Sequence, residues 1–309
     1  MASHSRRVLI TGASGFTGRW LSRRLSQAGY AVYGLTHGPA QTSTEFQADL
    51  NDPAALRAAL ETTRPDYIVH LAAITFVAHS DSAEIYRVNL FGTLNLLDAI
   101  LAVGLQPRKV LVASSANVYG NPPVEVIDET ICPAPVNHYA TSKLAMEHLV
   151  RTYAERLPLI ITRPFNYTGA GQAEHFLIPK IVAHYRARRP EIELGNLEVA
   201  RDFSAVDFLV TAYQKLLECP HYGCTVNICS GRETRLGQII ATMNDIAGYA
   251  IKVKVNPALV RANEVRRLIG DPHQLFTLIG RLPVPELRNL LLEMYHAPPN
   301  PGGGRCALS

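Results

Sequence analysis

The chain has 309 residues and a formal net charge of +4, with 47% hydrophobic and 18% charged residues. That balance supports a sizeable core and excludes global disorder, and the length predicts one large domain or two unequal ones. No apolar run approaches the roughly 18 residues of a membrane helix, and the arginines are spread rather than clustered, which argues against a nucleic-acid stripe.

The polar, basic start runs directly into a strand with no secretory pattern, so a cytoplasmic, soluble protein is expected. The five cysteines, Cys132, Cys219, Cys224, Cys229 and Cys306, match no zinc spacing. An odd count without a signal peptide also speaks against a disulfide framework, and no metal is expected. The last four residues, Cys306 to Ser309, formally match a prenylation box, but no polybasic segment or second cysteine supports it.

In chain order, predicted strands at 8–10, 31–35, 67–71, 110–113 and 159–162 alternate with predicted helices at 19–28, 53–62, 85–103 and 140–156. Alternation of this kind implies an α/β fold, a Rossmann-like doubly wound parallel sheet that binds ligands beyond the carboxyl ends of its strands. After Arg163 and Pro164 the pattern loosens into helix-like stretches at 178–189 and 236–247 and strand-like pieces at 191–194, 225–229 and 251–255. The expected division is a nucleotide-binding domain over 1–165, a smaller α/β substrate-binding part over 166–296 and a flexible tail over 297–309. The segment 201–222 is expected to pack back on the first domain.

The first strand leads into Gly12, Ser14, Gly15, Phe16, Thr17 and Gly18. Gly12 suits a tight turn, Gly15 admits close approach of a pyrophosphate, and Gly18 permits close helix packing. The helix N-terminus then offers N–H groups and a positive dipole end to phosphate. The spacing Gly-x-x-Gly-x-x-Gly differs by one residue from the dinucleotide fingerprint. At the end of the second strand, Leu35, Thr36 and His37 include no acid to hold a ribose hydroxyl. With Arg19 nearby, this favours NADP(H), with NAD(H) as the other option.

Tyr139 and Lys143 stand four apart on one helix face. A tyrosine with its usual pKa of about 10 is a poor base at neutral pH, and lowering it by roughly 3 units needs about 4 kcal/mol from a neighbour such as an ammonium. Ser114 and Ser115 end the fourth strand at the ligand-facing edge of the sheet, where a hydroxyl can polarise a carbonyl.

With these motifs in this order, the chain resembles the extended short-chain dehydrogenase/reductase family, the NAD-dependent epimerase/dehydratases, over nearly its whole length. Supporting matches are Ala48-Asp49-Leu50, His70-Leu71-Ala72-Ala73, Asn89-Leu90-Phe91-Gly92-Thr93 and Arg163-Pro164-Phe165-Asn166. The resemblance implies a catalytic trio of Ser115, Tyr139 and Lys143, with Ser114 as the other candidate serine. It also implies cofactor contacts from Asp49, Leu50, Leu71, Ala72, Ala73, Asn89, Arg163 and Phe165 beside the glycine loop. Homodimerisation through the helices at 85–103 and 140–156 follows by analogy.

Later motifs are similar to enzymes acting on GDP-mannose derivatives. Arg201-Asp202-Phe203 implies an arginine on the diphosphate, Arg261 a second phosphate contact, and Glu264 a ribose contact. Thr75, Ser115, Asn166 and Lys180 complete the implied substrate set. Dehydratases of this family carry an acid just after the catalytic Ser or Thr, whereas Ala116 and Asn117 stand here. Elimination of water would lack its acid and base. The resemblance then implies reduction of the C4 ketone of a GDP-4-keto-6-deoxyhexose, as in reductases forming GDP-D-rhamnose or its C4 epimer. A nucleotide-sugar 4-epimerase and a non-catalytic cofactor sensor are the alternatives. His175 is a weaker candidate acid, standing one residue from the histidine position of a related reductase-epimerase.

Overall fold

The computed structural model describes residues 6–75, 81–259 and 265–298. β1 (Arg7–Thr11) is a run of apolar and β-branched side chains buried from Val8 onward. The chain turns at Gly12 into α1 (Phe16–Gln27), then forms β2 (Ala31–Thr36) and the short β3 (Glu45–Gln47). α2 (Pro53–Thr63) starts cleanly: the Asp52 side chain accepts from the N–H groups of Ala54 and Ala55, and Pro53 needs no partner in the first turn. β4 (Tyr67–His70) follows, buried throughout.

The sequence predicts one helix over 85–103. The structure instead shows α3 (Ser82–Tyr86), a π-helical turn over Arg87–Phe91 and α4 (Gly92–Ala102). The Asn89 side chain within the π turn bonds the backbone of Ile74, a tertiary demand that hydrophobic periodicity does not encode. Next come β5 (Lys109–Ala113), a 3₁₀ turn over Ala116–Tyr119, and α5 (His138–Arg151), whose N-cap Asn137 accepts from the N–H of Ala140.

β6 (Leu159–Pro164) is followed by β7 (Asn166–Thr168), α6 (Leu177–Arg186), β8 (Glu191–Leu194), β9 (Ala200–Ala205) and α7 (Val206–Glu218). The remainder comprises β10 (Cys224–Ile228), β11 (Glu233–Arg235), α8 (Leu236–Ala247), β12 (Lys252–Val255), β13 (Arg267–Leu268), α9 (His273–Ile279) and α10 (Leu287–His296).

Seven strands form one parallel sheet in the order β10-β6-β5-β4-β1-β2-β3. This is the Rossmann-like architecture expected from the alternating pattern. The chain reverses direction across the sheet between β1 and β4, so Thr11 and His70 lie side by side at the switch point where such sheets bind ligands. α1, α7 and α9 pack one face, and α2, α4 and α5 cover the other. β10, although late in the chain, pairs with β6 at one edge of this sheet. A separate small sheet joins β11, β9 and β13 with β7 added to β9, and α6, α8 and α10 share a third core with β8.

Candidate active site

The glycine loop is shaped for close backbone approach. Gly12 has φ of 70°, and a Cβ there would stand 2.9 Å from the backbone of Ala72. A side chain at Gly18 would run into the backbone of Gly12 and Ala13. Gly15 caps α1 with no side-chain hydrogen bond, so the first helical N–H groups point where a pyrophosphate would lie. The loop therefore fits a dinucleotide on geometry alone. Ser14 is exposed, with its carbonyl accepting from Arg19 at 2.5 Å. Thr17 bonds Tyr167 at 2.8 Å, and Phe16 stacks on the same ring, tying the loop to β7.

Beside this loop runs a buried relay whose proton positions follow from its last acceptor. The Asn89 carbonyl can only accept, so the Thr93 hydroxyl donates to it at 2.8 Å. His70 Nε2 must then donate to Thr93 at 2.9 Å, which leaves Nδ1 to accept from Thr11 Oγ1 at 2.7 Å. Thr11 Oγ1 in turn accepts from the N–H groups of Leu71 and Ala72. Burial, helped by the Lys143 ammonium, pushes the His70 pKa down to about 3, so the ring is neutral. Asn89 accepts from the Ile74 N–H and donates to the Ile74 carbonyl and Ser142. Leu71 and Ala72 are thus held against the glycine loop.

At the end of β2, buried Thr36 donates to the Gly38 carbonyl, while exposed His37 faces Asp49 with Nε2 3.9 Å from a carboxylate oxygen. Leu50 is buried and would be struck by any side chain at Gly92. The rim is neutral at β2 itself, with its nearest carboxylate supplied from another segment.

α5 and the end of β5 bring Ser115, Tyr139 and Lys143 together, all buried. Burial pushes the Tyr139 pKa up to about 12, with the neighbouring Ser115 hydroxyl opposing the rise. The Lys143 ammonium donates to the Ala113 carbonyl at 2.8 Å; burial draws its pKa down to about 8, opposed by Glu147. The sequence expects the ammonium to lower the tyrosine. In the structure, burial dominates and Tyr139 keeps its proton.

The two serines differ in what they face. Ser114 Oγ donates to Glu147 at 2.6 Å, which commits it away from the trio. Ser115 Oγ accepts from the Asn117 N–H and meets Tyr139. Glu147 also takes Arg163 in a two-pronged ion pair, at 2.9 Å from Nε and 2.6 Å from Nη2. Arg163, expected at the cofactor, therefore has its buried guanidinium committed to Glu147 and to Tyr119. Phe165 similarly lies in a small core with Tyr119, Cys229 and Leu268. Glu147 was missed by the sequence reading, although its spacing of four from Lys143 repeats the spacing that singled out Tyr139.

On the substrate side, Asn166 Oδ1 is the one buried side-chain polar atom without a partner among the described residues. A buried acceptor left open beside β6 marks a place where a ligand donor would be satisfied. Lys180 is used structurally, donating to the Glu193 carbonyl. Arg201 donates to the carbonyls of Ala200 and Arg266, while its neighbour Asp202 clamps the Ser230-Gly231 turn, its carboxylate accepting from both N–H groups and the Ser230 hydroxyl at 2.6 to 3.1 Å. Thr75 is exposed, and His175 packs against Phe176 with the two rings tilted. Arg261 and Glu264 lie outside the described residues. Among the described residues no cluster of metal-ligating side chains occurs, and no helix is long and apolar enough to cross a membrane.

The family model described as GDP-mannose 4,6 dehydratase matches residues 9–294. The chain belongs to this extended short-chain dehydrogenase/reductase family, whose members are nicotinamide-dependent enzymes of nucleotide sugars. A family relative, GDP-6-deoxy-D-talose 4-dehydrogenase of Aggregatibacter actinomycetemcomitans, is 37% identical, covering 94% of this chain and 97% of its own. GDP-6-deoxy-D-mannose reductase of Pseudomonas aeruginosa is 35% identical, over 90% and 92% of the two chains. Among solved structures, a Burkholderia cenocepacia J2315 protein provisionally described as an epimerase is 46% identical, with a TM-score of 0.89 over 94% and 97%. The RMD structure from Pseudomonas aeruginosa, complexed with NADPH, is 31% identical with a TM-score of 0.82 over 94% and 96%.

Proposed function

We propose that the protein reduces the C4 ketone of a GDP-4-keto-6-deoxyhexose, with GDP-4-keto-6-deoxy-D-mannose going to GDP-D-rhamnose or its C4 epimer. The observation that carries this reading is that Ser115, Tyr139 and Lys143 are buried together, with no carboxylate at Ala116 or Asn117. When bound, NADPH supplies the hydride for C4. Ser115 Oγ polarises the ketone, and Tyr139, protonated at neutral pH because burial holds its pKa near 12, delivers its hydroxyl proton to the developing alkoxide. Tyr139 then recovers a proton from solvent. Lys143 supplies the positive charge that stabilises the phenolate formed in that transfer.

Asn166 is assigned to the substrate, where its open Oδ1 would accept from a donor. The glycine loop with Leu71 to Ala73 is assigned to the dinucleotide. NADPH is favoured over NADH because Leu35 to His37 present no acid and the exposed Arg19 and His37 stand nearby. The RMD structure with NADPH supports the same preference. A cytoplasmic, homodimeric enzyme with the nucleotide domain over 1–165 belongs to the same proposal. A second reading, a nucleotide-sugar 4-epimerase, draws support from the Burkholderia cenocepacia neighbour.

Stoichiometric NADPH oxidation is expected when GDP-4-keto-6-deoxy-D-mannose is supplied. Tyr139→Phe is expected to lower turnover by on the order of 10²- to 10⁴-fold while NADPH still binds. Full turnover by that variant would remove Tyr139 from the chemistry. Inversion at C4 without net cofactor consumption would replace the reductase by the epimerase.

A further inference from the structure

Glu147 is the most enclosed carboxylate near the reacting trio, with no exposed side-chain surface. It stands one turn beyond Lys143 on α5 and receives Ser114 at 2.6 Å, Arg163 through two nitrogens and Arg151 at 3.3 Å. Behind Arg163 the network continues: Nη1 donates to the Tyr119 hydroxyl, which donates to Asn227 Oδ1, and Asn227 Nδ2 donates to the Ile127 carbonyl. One carboxylate thereby ties three segments: the Ser114-Ser115 turn after β5, the helix bearing Tyr139 and Lys143, and the end of β6 leading to Asn166. A buried ion pair is a poor device for stability alone, since apolar side chains of the same shape serve as well or better. Its position suggests another use.

We propose that Glu147 is a positioning residue for the reduction: it holds Ser115 against Tyr139 through Ser114 and keeps the neighbouring Lys143 ammonium in its charged form. The charged and titratable groups around this pair come from several elements. Lys143 faces Glu147 on its own helix, the neutral His70 ring from β4 and the Ala113 carbonyl from β5. Glu147 faces Arg163 from β6, Arg151 on α5, and Tyr119 beyond Arg163. Among them Glu147 opposes the burial that lowers the Lys143 pKa to about 8. Removing its charge lets the ammonium lose its proton at a lower pH.

Because the kinetic consequence rests on the reductase reading, the first readout needs no substrate. In protein carrying ¹³C-labelled lysine, with the Lys143 signal assigned from Lys143→Arg, the ammonium is titrated in wild type and in Glu147→Gln. The expected result is titration at lower pH in the variant, with kcat lowered by on the order of 10- to 100-fold and KM for NADPH held. Ser114→Ala keeps the carboxylate and removes only the tether. It should leave the Lys143 titration in place and lower kcat. An unmoved Lys143 titration in folded Glu147→Gln overturns the electrostatic role, and wild-type kcat in Ser114→Ala overturns the positioning role. If Glu147→Gln does not fold, Ser114→Ala decides by the same kcat criterion. If the wild type reduces no GDP-4-keto sugar, the reductase reading fails while the lysine titration still judges Glu147.

Discussion

Two buried polar chains approach α5 from different strands, and they are built from different chemistry. The chain through Thr11, His70, Thr93 and Asn89 contains only neutral groups, with Thr11, His70 and Thr93 donating in one direction to the Asn89 carbonyl. The chain through Ser114, Glu147, Arg163 and Tyr119 is centred on an ion pair. The first holds the loop after β4 against the glycine turn through uncharged groups alone. The second lies behind Lys143, where a negative charge has a cation to act on. Both networks are fully enclosed, yet a missing member should cost more in the charged one, because an unpaired ion is far more expensive to bury than an unpaired hydroxyl.

That contrast can be broken by substitution. Arg163→Met leaves buried Glu147 with only Ser114 and the half-exposed Arg151 and is expected to lower unfolding free energy by about 3–5 kcal/mol, read from denaturant midpoints. The double variant Glu147→Leu/Arg163→Met should recover most of that loss, and failure to recover would mean the pair contributes more than cancellation of its own charges. Thr11→Val keeps the shape but strips the hydroxyl acceptor from the Ala72 N–H, while Leu71 keeps its bond to the Thr11 carbonyl. A loss of about 1–3 kcal/mol is expected, together with a raised KM for NADPH as the loop loses its anchor. A loss as large as that of Arg163→Met would erase the distinction.

The pH dependence of stability tests the neutral network separately. His70 has its pKa lowered from 6.5 to about 3, so the folded state binds its proton less readily than the unfolded state. Its contribution is fully present above pH 6.5 and is lost as pH falls towards 3, at about 1.4 kcal/mol per pH unit. His70→Asn should flatten this part of the stability curve. An unchanged acid limb in that variant would show that other groups govern acid unfolding.

The nucleotide half was legible because its signals are local. The five predicted strands and the helices at 19–28 and 53–62 rest on hydrophobic period and turn residues, and all five strands appear with shifts of a residue or two. The position of β10 was not legible. Residues 225–229 read as a strand in the later half, but pairing with β6 is a tertiary choice that no local pattern announces. The π turn at Arg87–Phe91 escaped for the same reason.

The site shows the same boundary between local and distant information. Sequence by itself determined the glycine turn, the Tyr139–Lys143 face and the absence of an acid at Ala116 and Asn117, because each depends on residue type and spacing within one segment. Only the tertiary structure engaged Ser114 and the Arg163 guanidinium with Glu147 and left Asn166 Oδ1 without a partner. Those outcomes depend on which strand ends meet across the sheet. There, burial converts a hydrogen-bonding side chain into either a satisfied support or an open contact, a distinction that exists only once distant segments have packed.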